Sequence, residues 1–334
     1  MPLSAAQPLI RLLVTALPLL RQRSDQPMSR TETGARKGAS PRPKNKLARS
    51  NDRVFLLMTL PAALIYALFY LYPTLNNLRY SLTDWDGFQE AKFLGLDNFT
   101  RMTDDSVFTK VLSNNIEFTF LVVIFQTALS LLFAIFLLKN SRISTFLRTL
   151  YFFPTIISSV SVAMVWQFLY EPNLGPLNVF LNSIGLDFLA LNWLGSETAT
   201  LRAIAFTQVW FHTGQMMVVY IAGLQQIPAE LYEAAEVDGA SRWQQFKSVT
   251  WPMALPTTAV VMAYTTIQSF RAFDLVFAMT GGGPNNSSSI LVTMIYLTAF
   301  NEFRFGYAAA QSIFLIIFIL GLTALQRRIL RTKY

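Results

Sequence analysis

Residues 116–138 read IEFTFLVVIFQTALSLLFAIFLL. The run is apolar apart from Glu117 near its start and a scatter of Thr, Gln and Ser. At about 1.5 Å rise per residue it is long enough to cross a hydrocarbon core of about 30 Å. In lipid only a helix satisfies its own backbone polar groups over such a run. The alternating pattern of a membrane barrel is absent. Five further runs of this kind predict an all-α polytopic membrane protein with six transmembrane helices. Their expected bounds are about Val54–Leu75, Ile116–Leu138, Leu147–Leu169, Arg202–Leu224, Thr257–Met279 and Tyr307–Leu325.

Composition agrees. Of 334 residues 53% are apolar and 14% charged, against about 25% charged in an ordinary soluble domain. Zero Cys excludes disulfides, thiolate metal sites and Cys nucleophiles, and one His excludes a His-cluster metal site. The net charge of +8 could suggest nucleic acid, but the cations are unevenly placed and read better as membrane topology. Arg and Lys crowd residues 1–53, the loop holding Lys139, Arg142 and Arg148, the loop holding Arg242 and Lys247, and the last eight residues. The opposite loops, about 72–115, 170–201 and 276–306, carry few cations, and in the first of them Asp and Glu offset these. Both termini and the loop at 225–256 are therefore expected on the cytoplasmic side of the membrane. Those opposite loops are too short for a catalytic domain.

Residues 1–53 lack apolar periodicity after about Leu20 and read as a basic, disordered cytoplasmic tail ahead of a 54–334 transmembrane domain. Leu9–Leu20 is mildly apolar but too short to span. It reads as tail, as an interfacial or signal-like segment, or as residues ahead of a natural start at Met28. Tyr70, Tyr72, Trp85, Trp166, Tyr170 and Trp193 fall near span ends. An interfacial aromatic belt accounts for them, with sugar stacking as the narrower alternative.

Between the fourth and fifth spans lies a soluble-looking insert. Pro228 suits a helix start. Glu230 and Glu233 follow in the first turns, where the macrodipole favours acids. Ala234 and Ala235 are good helix formers that let another surface approach closely. Gly239 suits a left-handed C-terminal turn. Trp243, Phe246 and Val249 then recur at helical spacing, with Pro252 expected to stop the helix. The prediction is a helix–turn–helix on the inner membrane face with Glu233, Glu236 and Asp238 along its exposed edge, or simply an amphipathic loop.

Polar side chains inside spans are costly and face a cavity or a neighbouring helix. Gln208, His212 and Gln215 form one stripe of the fourth span, and Thr265, Gln268 and Ser269 one stripe of the fifth. Amides donate and accept, as a hydroxyl-rich solute does, yet the same groups also serve as interhelical glue. Arg271 could meet an anionic solute or pair with Asp274 three residues on.

Five ordered stretches carry a resemblance. Glu233-Ala234-Ala235 with Gly239 resembles the "EAA" loop of permease subunits of binding-protein-dependent ATP-binding-cassette importers. Leu94–Phe99, Arg148–Pro154 with Trp166 and Gly175, Thr280–Pro284 and Gly306–Ala310 resemble segments of the carbohydrate-uptake branch, which includes maltose- and glycerol-phosphate-type permeases. The resemblance runs from about residue 54 to the C-terminus. It implies that Glu233, Ala234, Ala235, Asp238 and Gly239 form a coupling helix seated in a separate ATPase, and that the two polar stripes line the solute path. It also implies partners: a second homologous permease, two ATPase subunits, an extracytoplasmic binding protein, and a sugar or oligosaccharide. It places the chain in a bacterial inner membrane, surrounded by membrane lipid, and nucleic acid is not expected.

Competing classes are a secondary transporter or channel and an intramembrane enzyme. The first normally uses a central membrane carboxylate, and none stands mid-span. The second needs a nucleophile–base or metal constellation, and none is legible. The phosphate-cradling G-x-x-x-x-G-K-[ST] motif is also missing. The chain is therefore expected to be no enzyme, with no catalytic or metal residues and no cofactor of its own, ATP and Mg²⁺ belonging to the partner.

Overall fold

The computed structural model describes residues 57–329. The expected 1–53 tail and its boundary at residue 54 lie outside them. The chain divides into two units at Pro61, and the elements from Ala62 onward belong to the second. No strand occurs among the described residues, only an isolated antiparallel bridge between Thr83 and Phe93.

In chain order, α1 spans Leu57–Tyr80, with a π turn at Ala67–Leu71. That wider turn precedes Pro73, whose ring and missing N–H disturb the regular ladder. α2 is Asp97–Asp104 and α3 is Ser106–Phe136, capped by the Asp105 carboxylate, which accepts from Val107 N and Phe108 N. α4, Arg142–Phe152, is capped by Ser141 and runs into a 3₁₀ turn at Phe153–Ile156. α5 is Ser159–Leu169 and α6 is Pro176–Ser183. α7 is Thr200–Leu224 and α8 is Ala229–Val237. α9, Arg242–Gln245, passes through a π turn at Phe246–Thr250 into α10, Trp251–Phe270. α11 is Phe273–Thr280, α12 is Leu291–Phe300 and α13 is Phe305–Ile329.

By length and apolarity α1, α3 and α13 can each cross a membrane, and the bent pair α4–α5 makes a fourth candidate if it counts as one span. α7 and α10 are long enough but more polar. For α7 the reason is packing: 16 of its 25 residues are buried, so neighbouring helices replace lipid around it. Around α7 gather α3, α5 and α11 in one apolar cluster, with Phe118, Trp166, Ile204 and Val276. A second cluster joins the ends of α3 and α7 to α10 through Leu131, Met217, Tyr220 and Val261.

Four expectations change. The Leu147–Leu169 run is not one rod: α4 and α5 meet at 100°. Pro154 removes a backbone donor, and Ile157 and Ser158 are extended, with ψ of 150° and 136°. The Thr257–Met279 run breaks at Arg271 and Ala272, between α10 and α11. Pro252 does not stop a helix. It sits in the first turn of α10, and the π turn before it carries the chain through. The loop expected at 276–306 contains the apolar helix α12.

Several motif residues earn their places by backbone contacts. Asn98 donates to the carbonyls of Ser81 and Thr83, at 2.9 and 2.7 Å, closing the loop after α1. In that loop the Asp86 carboxyl is held below its usual range by N–H donation from Gln89 and then Phe88. Arg148 aims its guanidinium at the C-terminus of α3, donating to the Leu137 and Leu138 carbonyls and to Asn140. A cation on orphan carbonyls is favourable at that end of a helix. At Gly214 the chain needs the absence of a side chain. The backbone of Tyr151 and Phe152 lies where a Cβ would be, so the end of α4 rests directly on α7.

Candidate functional site

The site has two parts, at opposite ends of α10. The first is the segment after α7. Pro228 precedes α8, and Glu230 lies in its first turn. α8 ends in a Schellman turn: Ala240 N–H donates to the Ala235 carbonyl at 2.9 Å, and Gly239 N–H donates to Glu236 at 3.0 Å. Gly239 adopts φ +74° with open space around it, so its requirement is conformational and not steric. Ser241 and Gln244 then form a reciprocal capping box that starts α9. The Tyr232 hydroxyl shares a 3.1 Å hydrogen bond with Thr250, tying α8 to the π turn.

What remains outward is informative. α8 buries no residue. Glu233, Ala234, Asp238 and Gly239 are exposed, and Ala235 is half-buried. Val237 and Trp243 are 87% and 70% exposed, large apolar surface for a free loop. Glu233 makes no hydrogen bond or ion pair among the described residues. The segment is therefore an acidic and apolar protrusion whose Glu233, Val237 and Trp243 side chains are exposed. Gly239→Ala should strain this turn by about 1 kcal/mol. The measurement is protease sensitivity of the 225–256 segment, which should rise while the midpoint of global unfolding stays put. An unaltered digestion pattern would show that the left-handed turn is dispensable.

The second part is a cavity of about 440 Å³ where the two broken helices face α7. Gln208 and His212 of α7 and Gln268 of α10 line it together. Ser159 follows the α4–α5 break, while Arg271 and Asp274 flank the α10–α11 break, and Phe211 and Tyr264 supply aromatic wall. The breaks thus bring polar groups from four helices, α5, α7, α10 and α11, to one place. Gln215 does not line the cavity; its amide lies 3.3 Å from the Tyr264 hydroxyl. Thr265 and Ser269 are fully buried on the other side of α10, where Ser269 donates to the Thr265 carbonyl. Of the two alternatives for Arg271, the ion pair with Asp274 does not form, because the chain leaves helical geometry at Ala272 between them. The ion pairs among the described residues are Lys110–Glu197, Arg202–Glu117 and Arg304–Glu302.

One polar stripe escaped sequence reading. Asn115, Thr119, Gln126 and Ser130 are all buried along α3. Ser130 donates to the Thr213 carbonyl at 2.9 Å, and Asn115 accepts from Leu291 N–H. Gln126 is fully buried with neither amide atom partnered. Their offsets of 4, 11 and 15 place them on one helical face, a signal available in the sequence.

A helical membrane protein with an open cavity carrying polar groups, and an exposed helix–turn–helix at the far end of α10, fits a transport subunit. Residues 126–332 match the family described as "Binding-protein-dependent transport system inner membrane component". The chain is 34% identical over 286 residues to the probable ABC transporter permease protein YurN of Bacillus subtilis, covering 85% of this chain and 98% of that one. It is 33% identical over 309 residues to the diacetylchitobiose uptake system permease protein NgcF of Streptomyces coelicolor, covering 89% and 87%. Its fold is similar to that of a bacterial ABC transporter that imports the acidic polysaccharide alginate. The TM-score is 0.73 at 24% identity, covering 86% of this chain and 99% of that one. The chain belongs to this family of inner membrane transport components, and the family resemblance read from its motifs is borne out.

Proposed function

We propose that this chain forms half of the translocation path of an ATP-driven importer for a sugar or oligosaccharide. In this reading it passes the membrane six times, through α1, α3, the bent α4–α5 pair, α7, α10 with α11, and α13. Residues 54–334 make the membrane domain behind a basic 1–53 tail. Both termini and the Glu233–Gly239 protrusion face the cytoplasm. A second, homologous permease supplies the other half of the path. Two ATPase subunits hold ATP and Mg²⁺ and receive the protrusion, and an extracytoplasmic binding protein delivers the solute. The chain binds no cofactor and performs no catalysis itself.

The observation that carries this reading is the cavity where Gln208, His212 and Gln268 meet beside Phe211 and Tyr264. Amides that donate and accept, set against aromatic faces, match the alternating hydroxyls and apolar ring faces of a sugar. Diacetylchitobiose uptake by one relative supports the same solute class. Gln215, Thr265 and Ser269 then support the wall from behind.

The test is uptake of labelled mono- and oligosaccharides by proteoliposomes holding the complete transporter and its binding protein. Gln208→Ala and Gln268→Ala should each slow transport about five- to tenfold, the worth of one hydrogen bond of about 1–1.4 kcal/mol. Subunit assembly should be unaffected. Wild-type kinetics in both variants would reassign the amides to helix packing.

A further inference from the structure

The largest cavity of those described shares no lining residue with the one assigned to the solute. It measures about 680 Å³ and lies at the end of α7 opposite the protrusion. Trp166 and Tyr170 end α5 on one side of it, and Phe206 of α7 stands on another. Leu181 of α6 with Leu191 and Trp193 of the following segment close the rest. Its one charged lining residue is Arg202, in the first turn of α7. The Nε of Arg202 donates to Glu117 of α3 at 2.9 Å, and its two remaining nitrogens make no hydrogen bond among the described residues.

Two further facts define what could enter. Beside the cavity, Phe180, Ile184 and Phe188 are exposed, Phe188 at 74%. Such side chains on a short excursion between membrane helices belong in an apolar interface and not in water. The aromatic lining of Trp166, Tyr170 and Trp193 is the composition of the boundary between hydrocarbon and headgroups. An occupant must therefore be apolar along most of its length and anionic at the level of Arg202.

We propose that this cavity is a lipid site, holding one acyl chain of an anionic membrane phospholipid whose phosphate sits on the free nitrogens of Arg202. A guanidinium offers two parallel donors to phosphate oxygens. Glu117 engages Arg202 through Nε, leaving the two terminal nitrogens of the fork open. Its partial neutralisation of Arg202 limits retention of a doubly charged headgroup and suits a single phosphodiester. The segment 170–193 then lies in the membrane interface, with the lipid as its packing partner.

The experiment uses the assembled transporter in nanodiscs, with phosphatidylglycerol carrying a diazirine in its acyl chain as the probe. A matched phosphatidylcholine probe is run in parallel at equal mole fraction. After photolysis, adducts are mapped by peptide mass spectrometry. Labelling should concentrate on residues 166–206, several-fold above that on α1, and several-fold higher for phosphatidylglycerol than for phosphatidylcholine. Leu181→Trp, which fills the cavity, should remove both signals. Arg202→Gln should keep acyl labelling but equalise the two lipids, and Glu117→Gln should widen their difference. Uniform labelling along every lipid-facing helix, or labelling indifferent to Leu181→Trp, overturns the site. Equal labelling by both probes in the unaltered protein overturns the anionic assignment. Cross-links from this segment to another subunit in place of lipid would show a protein occupant and overturn it as well.

Discussion

Glu233→Lys should abolish uptake in the reconstituted transporter while leaving this chain folded and inserted. The folding half of that result follows from the contacts of Glu233: it is exposed and makes no bond within the chain among the described residues. Its loss therefore costs the fold little. The functional half follows from charge. If the α8 protrusion seats against a basic surface of the ATPase, reversing the charge puts like charges together at a desolvated contact, where complementarity sets partner choice and the penalty is several kcal/mol. ATPase activity stimulated by the loaded binding protein should fall with uptake, and pull-down of the ATPase subunit should weaken. Full uptake by Glu233→Lys would remove Glu233 from the docking surface. Val237 and Trp243 would then remain to account for the exposed apolar area.

Gly214→Ala should be the most damaging single methyl in the membrane core. A Cβ there would run into the carbonyl of Tyr151 and lie 2.8 Å from Phe152 N. These are backbone atoms at the end of α4 and cannot step aside as a side-chain tip can. Overpacking of a tight interface costs typically 1–3 kcal/mol, and with backbone on the other side a value of about 3 kcal/mol or more is expected. The clash also falls next to the 100° bend that delivers Ser159 to the cavity. The measured results should be a lower unfolding midpoint in detergent and a poor yield of assembled complex. A Gly214→Ala protein with unaltered stability would mean that α4 and α7 are free to separate.

The family and the protrusion were both readable before any coordinates. Pro228, Glu230, Gly239 and the Trp243–Phe246–Val249 spacing each state a local rule, and α8, the Schellman turn and α9 obey it. The two helix breaks were not readable in the same way. Hydropathy sums over a window and is blind to a bend, so the runs 147–169 and 257–279 look continuous although backbone geometry interrupts both. Pro252 misled because its cost depends on the turn before it, and a π turn there removes the conflict. On α10, the Thr265–Gln268–Ser269 spacing does define a stripe, but a periodicity carries no sign. Only packing shows that Gln268 opens to the cavity while Thr265 and Ser269 turn to its back. The Asn115–Gln126–Ser130 stripe was hidden inside a run whose apolarity already explained it.

From Arg242 to Phe270 the chain is helical without a break, through α9, the π turn and α10. At about 1.5 Å per residue it is a beam of roughly 40 Å, reaching from Trp243 beside the protrusion to Gln268 on the cavity wall. Tyr232 clamps its near end through Thr250. Such a beam acts as a lever. A tilt of roughly 10° imposed on the protrusion by a nucleotide-driven partner would sweep Gln268 through about 7 Å. That stroke exceeds the length of two hydrogen bonds end to end. Under the proposed function, force applied at an exposed acidic knob would be felt as a change in grip on the solute.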